Sequence, residues 1–346
     1  MISDNMKTIF EIGLVPLIVL DDADDALPLG QALVRGGIPI AEVTFRTDAC
    51  LDVIKAMKTI PELIVGAGTV HNVKQAEAAV KAGAAFIITP AYNPQVTQWC
   101  VEHDVDIMPG TVSPADIEAA NGLGLDVCKF FPAGAYGGTK TLKALAGPFA
   151  AMKFIPTGGV NCDNMNDYLD LPNVAAVGGS FITPSELVKA KDWDGLAKHC
   201  QNLVRHMLDF TIGHVGLHVP GRAEAEAVTD GLCRLMAQDK IPGADNFFAG
   251  SIAEICDHEM PGTKGHICID TRDMPRALAY YKHQGIELDE NHCYRDENGK
   301  IKVAFLKETV GGFSVHLRRK IIKNAVVYTT AFLLLLIAPE FIGCIT

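Results

Sequence analysis

Between residues 14 and 180, short β-branched or apolar runs return every 19 to 27 residues, and this rhythm restricts the fold more than any other feature of the chain. The runs are LVPLIVL (14–20), IAEVTF (40–45), LIVGAGT (63–69), FIITP (86–90), VDIMPGT (105–111), DVCKFFP (126–132), KFIPTGG (153–159) and VAAVGGS (174–180). Between them lie stretches such as DADDALPLGQALVRGG and VKQAEAAVKAGA, in which Ala, Leu and Lys recur at helical spacing. Each closes on a glycine, the residue best suited to the left-handed end of a helix. Eight strand–helix units in about 200 residues predict a (β/α)8 TIM barrel over residues 1–208, an α/β fold.

With 346 residues the chain is longer than one barrel of this size needs. After Trp193, DGLAKHCQNLVRHMLDF closes the first pattern and a different one begins. TIGHVGLHV is followed by a predicted helix over 223–238, and KGHICIDT, from Lys264, by MPRALAYYKHQG. Two copies of strand, helix and further strands, offset by roughly 50 residues, predict a smaller α+β domain over 211–320. Residues 321–346 form an apolar tail. Its uncharged run, 325–339, is shorter than the ~20 residues a bilayer span requires, and Glu340 interrupts it. A packed or interfacial segment is expected there in preference to membrane contact, with a C-terminal anchor as the alternative.

Charge narrows the partners. The chain carries 30 basic and 41 acidic side chains, a net charge of −11. Cut after residue 208, it has 15 basic and 23 acidic residues before and 15 and 18 after, so both parts are acidic. No basic block tracks a phosphodiester backbone, which argues against nucleic acid, and an anionic ligand must be held by a local site. Ten cysteines without a C-x-x-C pair read as reduced thiols. The opening MISDNMKTIFEIG has acidic residues where an export signal needs a basic lead, and a cytoplasmic location is expected.

Active sites of (β/α)8 barrels lie at the C-terminal ends of the strands, and here those ends carry reactive side chains. In KFFPA (129–133) the strand period of two sets Val127, Lys129 and Phe131 on one side, so Lys129 is expected to face inward. Burial disfavours an ammonium and favours the free amine, the form that attacks a carbonyl to make a Schiff base. In EVTFR (42–46) the same period predicts Glu42, Thr44 and Arg46 on one face. Arg46 could clamp a substrate carboxylate and Glu42 could shuttle protons; the plain alternative is a structural Glu42–Arg46 ion pair. PTGGV (156–160) and GGS (178–180), on the last two strands, offer backbone amides and following helix starts for a phosphate.

EVTFRT, IVGAGTV, KFFPA, GPF, PTGGV and GGS, in this order and spacing, resemble the 2-keto-3-deoxy-6-phosphogluconate (KDPG) and 4-hydroxy-2-oxoglutarate (KHG) aldolase family over about residues 7–208. The resemblance implies a class I aldolase, a cofactor-free carbon–carbon lyase that releases pyruvate together with glyceraldehyde 3-phosphate or glyoxylate. By position it makes Lys129 the Schiff-base lysine and Glu42 the proton shuttle. Arg46, Thr69 and Thr157 would contact the pyruvyl portion, and Pro90 and Phe131 would shape the pocket. Gly158, Gly159, Gly179 and Ser180 match the phosphate positions. The family also implies a homotrimer and a small, phosphorylated keto acid as substrate.

GHVGLHV and GHICIDT resemble the paired βαβββ halves of the vicinal-oxygen-chelate (glyoxalase-like) fold. That resemblance implies metal ligands at His214, Glu254, His266 and His316, suited to zinc, nickel or iron. His316 stands where a glutamate is usual, and His218 or His258 could replace a member of the set. Against the aldolase stand two other readings: an inactive barrel serving as scaffold for a metal-binding sensor, or a separate metal-dependent isomerase or lyase in the C-terminal domain.

Overall fold

The computed structural model of the chain describes residues 2–258 and 260–320. The described residues divide into two compact units, 2–208 with Pro275–Gln284, and 209–274 with 285–320.

In the first unit a helix, Asp4–Ile12, capped by Ser3 and ended by Gly13 at φ 76°, leads into the strands. These are β1 (Leu14–Ile18), β2 (Ile40–Thr44), β3 (Ile64–Gly68), β4 (Phe86–Ile88), β5 (Asp106–Met108, resuming after Pro109 as Gly110–Thr111), β6 (Val127–Phe130), β7 (Lys153–Pro156) and β8 (Val177–Gly179). All their pairings are parallel. One edge runs β5–β4–β3–β2–β1–β8, and Gly110–Thr111 continues to β6 and β7. Bridges Phe154↔Val174 and Thr157↔Gly178 join the β7 region to β8, so the strands curl into a TIM-like α/β barrel.

Every residue of β1, β2 and β6 is buried, as expected of parallel strands covered on both faces. Helix Ala26–Arg35 buries Ala26, Leu29, Ala32 and Leu33 on one stripe, and Trp193–Leu208 packs beside it. The terminating glycines act as the sequence suggests. Gly83 takes φ 110° after Val73–Ala82, and in the Gly36–Gly37 pair it is the second that turns left-handed.

The second unit is one eight-stranded sheet built from two similar halves. The first is β9 (Thr211–His218), helix Arg222–Met236, β10 (Lys240–Pro242), β11 (Asn246–Ala249) and β12 (Ala253–Cys256). The second is β13 (His266–Thr271), β14 (Leu288–Arg295), β15 (Ile301–Val310) and β16 (Phe313–Arg319); helix Met274–His283, which follows β13 in the chain, is grouped with the first unit from Pro275 on. The order β10–β11–β12–β9–β13–β16–β15–β14 repeats the same arrangement outward from the antiparallel β9–β13 pair. Phe247, Ala249, Ala253 and Ile255 pack with Ala225 and its helix on one face. By alternation Glu254 and Cys256 belong to the other.

No helix among the described residues is long and apolar enough to cross a membrane. The expectations for the apolar tail, 321–346, fall outside the described residues. Nine described cysteines are free thiols.

Candidate active site and histidine cluster

Lys129 on β6 and Glu42 on β2 point into the barrel, 5% and 1% exposed. Lys129 Nζ donates to Glu42 Oε1 at 3.0 Å. The second carboxylate oxygen, Oε2, has no hydrogen-bond partner among the described residues. Gly68 on β3 creates the room for this carboxylate, because a Cβ there would lie 2.6 Å from Glu42 Cγ and 2.8 Å from Cδ. The Phe131 ring centroid lies 5.3 Å from Nζ.

Buried threonine hydroxyls tie the strand ends that carry these groups, a feature the sequence reading did not single out. Thr44 donates to the Ile18 carbonyl at 3.0 Å, Thr111 to that of Lys129 at 3.1 Å and Thr183 to that of Leu17 at 2.8 Å. Thr89 accepts from the Gly110 amide at 3.2 Å. Such hydroxyls are recognisable in sequence only once the strand register is known. Thr69, just past β3, adopts φ 57°, an uncommon conformation for a residue branched at Cβ.

The expectation for Arg46 needs correction. β2 ends at Thr44, and Phe45 and Arg46 form a turn, so the period of two that aligns Glu42 with Thr44 does not extend to Arg46. Arg46 is exposed and makes no ion pair with Glu42. It lines an open cleft of about 590 Å³ at the C-terminal strand ends, with Ile18, Asp22, Val160, Ser180 and Lys189. Lys191, also on this cleft, is committed to Asp25 at 2.7 Å, and that bond raises its pKa.

Gly158 and Gly159 adopt φ 85° and 82° past β7, and Gly134 N donates to Gly158 O at 2.8 Å. Thr157 is buried, Pro90 half-buried, Gly179 ends β8, and Ser180 is exposed beside it. The helix starts expected to assist an anion are slight: Met165–Leu169 and Ser185–Lys189 have 5 residues each. An anion here would depend on loop amides and side chains.

In the second unit the ligand atoms of His214 (β9), His266 (β13) and His316 (β16) lie within 4.8 Å of one another, and Glu254 (β12) meets His214 and His266. His214 Nε2 lies 2.8 Å from Glu254 Oε2, His266 Nε2 lies 3.2 Å from the same oxygen, and the two Nε2 atoms are 3.2 Å apart. His316 is 4% exposed, and neither of its nitrogens has a hydrogen-bond partner among the described residues. Burial and the neighbouring imidazoles push its pKa down to about 3, so the ring is neutral and keeps one nitrogen lone pair at neutral pH. Burial would raise the Glu254 carboxyl, but bonds from His214 and His266 hold it well below the usual range. Asn246 also donates to this carboxylate. His218 Nε2 meets the other ring nitrogen of His266, Nδ1, at 3.2 Å, and the ligand atoms of His218, Cys256 and His266 lie within 4.8 Å of one another. His258 is exposed and bonds Asp257.

A TIM-like α/β barrel with a buried lysine against a carboxylate has the groups that covalent carbonyl chemistry requires. Residues 5–199 match the family described as "Aldolase: KDPG and KHG aldolase". The chain is 40% identical over 200 residues to a 2-dehydro-3-deoxy-phosphogluconate aldolase of Haemophilus influenzae, covering 58% of this chain and 92% of that protein. It is 40% identical over 191 residues to the KHG/KDPG aldolase of Escherichia coli K12, covering 55% and 90%. A crystal structure of the Legionella pneumophila KDPG aldolase, with pyruvate captured as a covalent carbinolamine, superposes with a TM-score of 0.56 at 38% identity, covering 58% of this chain and 98% of that one. The chain belongs to the KDPG and KHG aldolase family and is a carbon–carbon lyase; residues beyond 199 lie outside the match.

Proposed function

We propose that the barrel is a class I aldolase that cleaves KDPG, KHG or both through a Schiff base on Lys129. The observation that carries this reading is the 3.0 Å contact between two buried groups, Lys129 Nζ and Glu42 Oε1, at the strand ends. It gives the proton that must leave the ammonium an acceptor within hydrogen-bond distance. The free amine attacks C2 of the keto acid, and loss of water from the carbinolamine leaves an iminium. Glu42, directly or through a water, takes the proton of the C4 hydroxyl. The C3–C4 bond breaks, an aldehyde leaves, and the electron pair rests in the enamine. Glu42 returns its proton to C3, and hydrolysis frees pyruvate and the lysine. The iminium is the electron sink, so no cofactor enters.

Arg46, an exposed guanidinium at the mouth, anchors the substrate carboxylate with Thr69 and Thr157, while Pro90 and Phe131 bound the pocket. Gly158, Gly159, Gly179 and Ser180 hold the distal phosphate, aided by Lys189 on the same cleft. Borohydride reduction in the presence of pyruvate tests the reading. A reduced adduct on Lys129, absent in Lys129→Met, is expected, and a folded protein that forms no adduct overturns it. Turnover of KDPG against KHG tests the phosphate positions, since equal specificity constants would remove them.

The histidine cluster favours a second, separate reading. We infer that residues 211–320 form a vicinal-oxygen-chelate-type module holding a divalent ion on His214, Glu254, His266 and His316. The 2.8–3.2 Å separations among His214, Glu254 and His266 suit bonds of about 2.1 Å, and His316, whose ligand atom lies within 4.8 Å of those of His214 and His266, has no hydrogen-bond partner to give up among the described residues. Such an ion supplies Lewis acidity. Glu254 contributes negative charge, and Asn246 orients it. Elemental analysis of the full chain against His214→Ala/His266→Ala tests this, and unchanged metal content removes the site.

A further inference from the structure

We propose that His266 is a bridging ligand, its Nε2 serving the His214–Glu254–His316 group and its Nδ1 a second cation site completed by His218 and Cys256. The proposal rests on the reading of the histidine cluster as a metal site and goes beyond it, adding a second ion and a thiolate donor.

The register generates the arrangement. On β9 the period of two puts His214, Gly216 and His218 on one face. Gly216 is paired with His266 on one side and with Glu254 on the other, while His218 is paired with Cys256. A Cβ on Gly216 would collide with the His266 ring, so only glycine leaves the slot in which that imidazole lies. The ring thus rests between two donor groups. One edge meets His214 Nε2 and Glu254 Oε2, each at 3.2 Å from Nε2. The other presents Nδ1 to His218 Nε2 at 3.2 Å. The ligand atoms of His218, Cys256 and His266 lie within 4.8 Å of one another, and Cys256 and His266 are 2% and 0% exposed.

Two nitrogens 3.2 Å apart match an edge of a tetrahedral site, which spans about 3.4 Å for Zn–N bonds near 2.05 Å, and a thiolate at about 2.3 Å adds a soft third ligand. The donor sets differ in kind. The first offers imidazoles and a carboxylate; the second offers imidazoles and sulfur, which selects zinc, cobalt or copper(I) over manganese or magnesium. Filling both sites displaces the His266 ring proton and the Cys256 thiol proton to solvent.

The test is titration of the metal-depleted full chain with cobalt(II), followed by stoichiometry and absorption. Two equivalents per chain are expected, with a near-ultraviolet thiolate-to-cobalt charge-transfer band. Cys256→Ser should bind one equivalent without that band, and His218→Gln provides the same readout should the serine variant fail to fold. Binding of one equivalent by the wild type, or a band that persists in Cys256→Ser, overturns the bridge while leaving the first site standing. Binding of none overturns both.

Discussion

Stranding one member of the buried Lys129–Glu42 pair should destabilise the barrel more than removing both. At 3.0 Å, with an effective dielectric constant near 20, the attraction is about 5.5 kcal/mol, much of it offset by the desolvation of two groups whose side chains are only 6% and 1% exposed. Lys129→Met leaves a carboxylate in an apolar interior, and losing one partner of such a pair typically costs about 3–5 kcal/mol. The loss has a ceiling, because the stranded group can take up a proton. Bringing a glutamic acid from its ordinary titration range to pH 7 in protonated form costs about 3.7 kcal/mol. For a domain of this size the expected fall in Tm is about 6–15 °C. The deficit should shrink as pH is lowered, since protonation then becomes easier. Lys129→Met/Glu42→Gln carries no stranded charge and should recover about 2 kcal/mol or more. Both tryptophans, Trp99 and Trp193, lie in the first unit, so fluorescence-detected unfolding reads the barrel without interference from the sheet domain. Additive losses, with the double variant as unstable as the sum of the singles, would refute the claim that the groups interact.

Gly68→Ala should lower kcat by about 100-fold, by driving the Glu42 carboxylate from its place, while Lys129 remains trappable by borohydride and pyruvate. Steady-state kinetics beside adduct mass would show it, and unchanged kcat would remove Gly68 from the site's design. Burial pushes the Cys50, Cys100, Cys128 and Cys200 thiols up to about 12, so they should resist alkylation at pH 8, whereas the half-buried Cys162, Cys233 and Cys293 label. Because those four folded values lie above the ordinary 9.0, the native state holds protons that the unfolded chain releases. Barrel stability is therefore full below pH 9 and declines as pH rises from 9 towards 12, as alkaline unfolding curves would register. Gly216→Ala should reduce bound metal by displacing the His266 ring, and full metal content in a folded variant would contradict the slot.

The barrel was readable because its strands are short, parallel and buried on both faces, so each leaves an apolar run with a helix behind it. Lys129 and Glu42 stood out because a charge within such a run conflicts with its surroundings, and alternation gave their direction. Arg46 shows where that logic ends. Alternation holds only while the backbone is extended, and nothing in EVTFR marks the turn that begins after Thr44. The threonine ties and the open cleft were illegible for a different reason, since they depend on which strands are neighbours. The same holds in the second unit. His214 and His266 announce themselves through the repeated GH-strand pattern, but Cys256 joins them only through the pairing His218↔Cys256, a relation between segments 38 residues apart.

The two halves of the sheet domain contribute equally to the histidine cluster: His214 and Glu254 come from the first, His266 and His316 from the second. Neither half has the full donor set, so affinity for an ion would arise only where β9 and β13 lie side by side. An occupant would fasten that seam, adding cohesion that grows with the logarithm of its free concentration, about 2.7 kcal/mol at a hundredfold excess over Kd. Metal scarcity in the surroundings would then be felt first as a loosening between the two similarly arranged halves.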